Sequence, residues 1–190
     1  VNVKGRKGVD VISHDEQPPK ADAARIPTLR PAFAADGTIT AANASSISDG
    51  AAALVMTRTS VAARLGLTPV ARVVAHAAHA QEPGLFTTAP VPAMRKALER
   101  AGWTTEDVDL FEINEAFAVV AMIAMKELGL DHARVNVNGG ATALGHPIGA
   151  SGARILTTLI SALQTRGLKR GMASLCIGGG EATAMAVELI

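Results

Sequence analysis

Apolar and polar residues change their spacing several times along this chain, and each change marks an element. Residues 1–13 alternate around a Lys-Gly-Arg-Lys-Gly turn, which predicts a β-hairpin. The polar, proline-bearing stretch 14–19 is a loop. Residues 22–29 carry one or two helical turns, interrupted at Pro27. Residues 31–48 form a long loop in which Phe33, Ile39 and Ile47 favour an ordered, packed path. Residues 50–56 are short and apolar, the pattern of a buried strand, and 59–65 are a short helix ended by Gly66.

From residue 70 the order becomes β, α, β, α, β, α, β, β. The strands are expected over 70–79, 110–113, 135–137, 171–177 and 182–189. The helices are expected over 91–101, 116–128 and 150–166, with Gly102 and Gly129 as stops after the first two. Such alternation predicts the α/β class, a layered fold with a mixed, mostly parallel sheet. The last two strands are joined only across 178–180 and should run antiparallel. Ahead of residue 70 one strand and one short helix are too little to close a second sheet. The first third therefore reads as the tail of a domain whose beginning is missing.

Composition narrows the functional classes. Hydrophobic residues make up 48%, enough for a full core, but aromatics are only 3% and tyrosine is absent. The core is then Ala, Val, Leu and Ile, and small side chains let helix approach sheet closely. A formal charge of +1 without blocks of like charge argues against nucleic-acid or membrane-surface partners. The longest apolar run, 116–125, is too short to span a bilayer, and the first residues hold no signal-peptide core. A single cysteine excludes an internal disulfide and fits a reducing, cytoplasmic compartment. The chain opens on Val rather than Met, which suggests a processed product, a partial chain or a piece of a longer protein.

Candidate chemistry lies at three strand ends, where ligands bind in open parallel sheets. The 110–113 strand runs into Asn114 and Glu115. The 135–137 strand runs through glycine-rich turns to His146. The 171–177 strand ends at Cys176 before Gly178. Glycine turns let backbone approach a ligand, and histidine moves protons near neutral pH. Each member also has a plainer reading: Cys176 as a small buried hydrophobe, Asn114 as a helix cap, 178–180 as a hairpin turn, His146 on a surface loop. His14, His76, His79 and His132 have no partner pattern and read as structural or solvated. Residues 149–153 lack the last glycine of a hydrolase nucleophile elbow, and neither a Walker lysine nor metal-ligand spacing occurs.

Three segments, NEAFA (114–118), NVNGGATALGHPIGASGARI (136–155) and CIGGGEATAMAVE (176–188), resemble the C-terminal signatures of the thiolases, which are acetyl-CoA acetyltransferases and 3-ketoacyl-CoA thiolases. LRPAF (29–33) and GTITAANASSISDGAAALVM (37–56) resemble the same family's CoA-side loop and the close of its first domain. The resemblance runs the whole length in family order. It implies a remnant of an inserted loop region over 1–48, the end of the N-terminal domain over 49–69, and the C-terminal domain over 70–190. It also implies Claisen condensation of two acyl-CoA molecules, or its reverse, thiolysis, in fatty acid metabolism. Acyl-CoA and CoA would be substrates, with no permanently bound cofactor and no metal. Cys176 would be the acid/base, a role that suits a thiol if nearby donors lower its pKa. His146 would activate the acyl-accepting cysteine and donate to the thioester oxygen. Asn114 would hold a water completing that oxyanion site, and the Gly178 N–H would serve a second one. Ser45, Phe33, Ala116 and Phe117 would line the pantetheine path.

The family's acyl-accepting cysteine has no counterpart here, which implies an N-terminal thiolase half as partner, on the same or a separate polypeptide. A homo-oligomer, dimer or tetramer, is implied by family analogy. Glu181 departs from the usual uncharged residue, and a carboxylate near Cys176 would raise its pKa. The motif for the nucleotide end of CoA around 17–20 is weak. Two other readings stay open: a free-standing Cys–His thioesterase with Cys176 as nucleophile, and a non-catalytic CoA-binding fragment.

Overall fold

A computed structural model describes residues 1–190 apart from 16, 18 and 20. The loop expected over 14–19 and the weak motif over 17–20 thus fall partly outside the described residues. The chain separates into two units, Val1–Ala42 and Asn43–Ile190.

The first unit opens with the expected hairpin. Strands β1 (Asn2–Gly5) and β2 (Gly8–Val11) pair antiparallel, Asn2 opposite Val11 and Gly5 opposite Gly8. Both strands are exposed on both faces, so the hairpin holds by its ladder rather than by burial. A 3₁₀ turn over Ala23–Thr28 includes Pro27, and the Asp22 carboxylate caps it by accepting from the Ala24 N–H at 3.1 Å. The following loop is closed by the Ala32 N–H donating to the Ile39 carbonyl at 2.7 Å.

The second unit is built on one four-stranded sheet. Its strands are β3 (Ala71–Ala80), β4 (Leu110–Ile113), β5 (Arg170–Ile177) and β6 (Glu181–Leu189), in the order β3-β6-β5-β4. Helices α2 (Pro90–Ala101) and α3 (Ala118–Leu128) cover one face, and α5 (Ser151–Arg166) covers the other. Two short helices, α1 (Thr59–Arg64) and α4 (Ala141–Leu144), complete the set. The layered α/β/α expectation is borne out. β4 shows why: successive side chains point to opposite faces, so Leu110 joins the α5-side core while Phe111 and Ile113 join the α2/α3-side core. Helix and sheet come close where side chains are small. A Cβ on Gly171 would lie 2.8 Å from a methyl of fully buried Leu159. α2 begins with Pro90 at its first position, and α2 and α5 end on Gly102 and Gly167 in the left-handed conformation.

Three expectations need correction. The sheet is mixed but not mostly parallel. β4–β5 is parallel, whereas β5–β6 and β6–β3 are antiparallel. The tight return after β5 sends β6 back between β5 and β3, so the one short turn makes two antiparallel ladders. The strand expected over 50–56 does not form. Among the described residues no strand pairs with it, and an apolar run without a hydrogen-bonding neighbour stays an extended strip; Val55 is 97% exposed. The strip flanks a groove of about 800 Å³ against α5, lined by Leu54, Leu156 and Ile160 among others. Finally, the strand over 135–137 shrinks to one parallel bridge, Phe111 to Val135, because Asn136 turns the backbone to φ 50°. Its side chain takes over the strand's bonds: Oδ1 accepts from the Ile113 N–H at 2.8 Å and Nδ2 donates to the Ile113 carbonyl at 2.9 Å. Among the described residues no helix is long and apolar enough to cross a membrane.

Candidate active site

β4 delivers Asn114 to the sheet end. Its backbone N–H donates to the Ser174 carbonyl of β5 at 2.9 Å, and the side chain is 1% exposed. Beyond the Asn136 turn, α4 ends at Gly145, and His146 follows. The His146 N–H donates to the Ser46 carbonyl at 2.8 Å, pinning the loop. The two side chains meet: Asn114 Nδ2 lies 3.4 Å from His146 Nε2.

The hydrogen bonds assign the imidazole tautomer. The Ser151 hydroxyl donates to the Pro147 carbonyl at 3.1 Å, so its oxygen accepts from His146 Nδ1 at 2.6 Å. Nδ1 then carries the proton, and Nε2 presents a lone pair to the Asn114 amide. Burial, and secondarily the charge of Arg154, hold the His146 pKa below its ordinary value. The ring is therefore neutral at physiological pH and free to accept a proton at Nε2. Ser151, fully buried at the start of α5, was noticed in the sequence only as part of an incomplete nucleophile elbow.

Cys176 lies on β5 two residues beyond Ser174, buried in the core cluster that holds Phe111, Ile113 and Met172. Burial pushes its thiol pKa up, against a smaller lowering by its own backbone hydrogen bond. The condition of a pKa lowered by nearby donors is not met. Glu181 is exposed and is not among the causes; its carboxylate folds over Gly179, where a Cβ would lie 2.5 Å from Oε2. Space around Gly178 is open. The close approach that demands glycine in this turn is at Gly180, which has φ 99° and sits against the Gln81 carbonyl and Pro83.

The other expected residues divide by unit. Ser45 Oγ donates to the Ala116 carbonyl at 2.9 Å, and the Ser45 N–H donates to the same oxygen at 3.1 Å. Phe117 bridges antiparallel to Ala44 and packs edge-on against Phe86, with centroids 6.2 Å apart. Phe33 belongs to the Val1–Ala42 unit, where it is 76% exposed.

Two acidic residues carry more than their sequence context suggested. Glu112 is 2% exposed on the α5 side of β4, and its Oε1 has no hydrogen-bond partner among the described residues. Burial raises its pKa to about 7, opposed by Arg154 and reinforced by Glu115. A carboxyl inside the run Leu-Phe-Glu-Ile was the available signal. Glu115 accepts from Asn136 Nδ2 at 2.9 Å with one oxygen and from the Thr142 N–H at 3.1 Å with the other.

The chain as a whole is matched by known proteins. The model of the thiolase C-terminal domain matches residues 67–189, and that of the thiolase N-terminal domain matches residues 1–60. The chain belongs to the thiolase family. An acetyl-CoA acetyltransferase of Allochromatium vinosum is 52% identical over 190 residues, covering 99% of this thiolase chain and 48% of its own length. The crystal structure of the Bacillus anthracis acetyl-CoA acetyltransferase superposes with a TM-score of 0.90 at 46% identity, over 100% of this chain and 48% of that one. A human mitochondrial 3-ketoacyl-CoA thiolase in complex with CoA superposes with a TM-score of 0.85 at 36% identity, over the same shares of the two chains. This thiolase chain thus spans about half the length of the curated relatives it matches.

Proposed function

We propose that this chain supplies the acid/base and oxyanion-holding part of a thiolase-type acyl-CoA acyltransferase, acting on acyl-CoA and CoA. The carrying observation is the Asn114–His146 pair, with a neutral imidazole whose free nitrogen faces the amide. In this reading His146 Nε2 takes the proton of the acyl-accepting thiol. The thiolate attacks a thioester carbonyl, and the protonated ring and an Asn114-held water donate to the oxygen that becomes negative. The Cys176 thiol gives its proton to the departing CoA sulfur, and the resulting thiolate removes the α-proton of a second acyl-CoA. The Gly178 N–H holds the enolate oxygen, and the enolate carbon attacks the acyl-enzyme carbonyl, releasing the acyl-accepting thiolate. Thiolysis runs these steps in reverse. Ser45, Ala116 and Phe117 line the path of the pantetheine arm.

The acyl-accepting thiol comes from an N-terminal thiolase half, on the same or a separate polypeptide. The single cysteine of the chain and its half-length coverage of relatives support this. The domain limits 1–48, 49–69 and 70–190, a dimeric or tetrameric assembly, and a cytoplasmic location belong to the same proposal.

The thioesterase reading fares worse. A Cys–His nucleophile needs the imidazole on the thiol, and here His146 is bonded to Ser151 and faces Asn114 instead. Intact mass after incubation with acetyl-CoA separates the readings. The expected result is an unmodified 190-residue chain, with an acetyl adduct on a supplied N-terminal thiolase half. A stable adduct on Cys176, or turnover by the purified chain alone, overturns the proposal.

A further inference from the structure

The contact between Asn114 and His146 joins residues far apart in sequence, so something must set the distance between β4's end and the loop after it. Glu115 follows Asn114 directly. Its Oε1 accepts from the Asn136 side chain at 2.9 Å, and that same side chain is bonded to both backbone groups of Ile113. Its Oε2 accepts from the Thr142 N–H at 3.1 Å, at the first turn of α4. α4 is a single turn, closed by the Leu144 N–H on the Gly140 carbonyl and the Gly145 N–H on the Ala141 carbonyl, and it hands the chain to His146. Gly140 is buried against the Glu115 carboxyl group, so close that any Cβ there would overlap it.

We propose that Glu115 is the positioning residue of this site: one carboxylate clamps the loop that delivers His146 to the strand end that delivers Asn114. Both oxygens act as acceptors at once, a demand that only a carboxylate meets among side chains of this length. Glutamine has the same shape but turns one acceptor into a donor. Whichever way its amide faces, it sets N–H against N–H at Asn136 or at Thr142 and loses one of the two ties. His146 then drifts from Ser151 and Asn114, and its tautomer is no longer fixed. The inference rests on the thiolase reading only for what His146 does; the clamp itself is independent of it.

The test is ¹⁵N NMR of histidine-labelled chain, which needs no activity. In the unaltered chain His146 shows one tautomer with the proton on Nδ1 and titrates below an ordinary histidine. In Glu115→Gln, its two ring nitrogens move toward each other and its midpoint rises toward the ordinary value, while His14, His76, His79 and His132 keep their signals. A folded E115Q chain with the tautomer and midpoint of His146 unaltered overturns the proposal. If E115Q loses its far-UV dichroism, Asn136→Asp, which keeps a residue tolerant of positive φ but removes the Nδ2 donor shared by Glu115 and the Ile113 carbonyl, is read by the same criteria. Loss of fold in both variants, with all five histidines moving together, also overturns a local positioning role. Because the adduct experiment tests the thiolase reading, the two can fail separately.

Discussion

Replacing Glu112 with glutamine raises the melting temperature at pH 8 and leaves it nearly unchanged at pH 5. The reason is the buried carboxyl on the α5 side of β4. In the folded chain its pKa is pushed up to about 7, from 4.5 in an exposed chain. Between those values the folded state holds a proton that the unfolded state has released, so stability falls as pH rises through this window. The loss is complete above pH 7. A shift of this size corresponds to about 3 kcal/mol, or roughly 6–12 °C in Tm for a chain of this length. Arg154 offsets part of the burial cost and Glu115 adds to it; both are already contained in the raised value. Glutamine keeps the shape and cannot ionise, so it escapes the penalty. Thermal melts of both chains at pH 5 and pH 8 check this. A gap that is the same at both pH values would mean that Glu112 does not titrate in this window.

Phe111→Ala is expected to cost about 3–5 kcal/mol, seen as a lower urea midpoint with no change in slope. Phe111 is fully buried at the centre of the α2/α3-side core. It makes the single bridge to Val135, and the Arg134 guanidinium stacks 5.8 Å from its ring centroid. The Arg134 head is fixed there by donating to the Thr105 and Val108 carbonyls at 3.2 and 3.0 Å, so it cannot follow a shrinking side chain. The surroundings therefore leave a cavity. The total stability of a domain is on the order of 5–15 kcal/mol, so this single loss consumes a large share of it. A midpoint within error of the unaltered chain would show that β4 is not the element on which this layer closes.

Much of the fold was legible because its signals are local. The β1–β2 hairpin, the glycine stops after α2 and α3, and the antiparallel return of β6 all follow from neighbouring residues. What could not be read is non-local. Nothing near residues 50–56 says whether a strand lies beside them, and a strand is defined by that neighbour. Likewise the turn after β5 announces β6's direction but not that β6 inserts beside β3. Asn136 looked like a strand residue between two valines. Its positive φ and its use of a side chain in place of a ladder appear only with Ile113 opposite it.

The candidate site was legible as a set of residue types at strand ends, and as a resemblance. Its wiring was not. Asn114 and His146 were singled out, but Ser151, which fixes the imidazole proton, and Glu115, which binds two donors at once, carry no mark that separates them from ordinary helix-start residues. The burial of Cys176 was legible only as one of two readings, since it depends on Phe111, Ile113 and Met172 arriving from distant segments.

The extended strip ending at Met56, with Val55 open to water beside its groove, leaves an apolar surface that association would remove from water. A dilution series checks whether copies of this chain use it: association of the folded form alone lowers the apparent melting point on dilution, and a melting point independent of concentration shows that they do not.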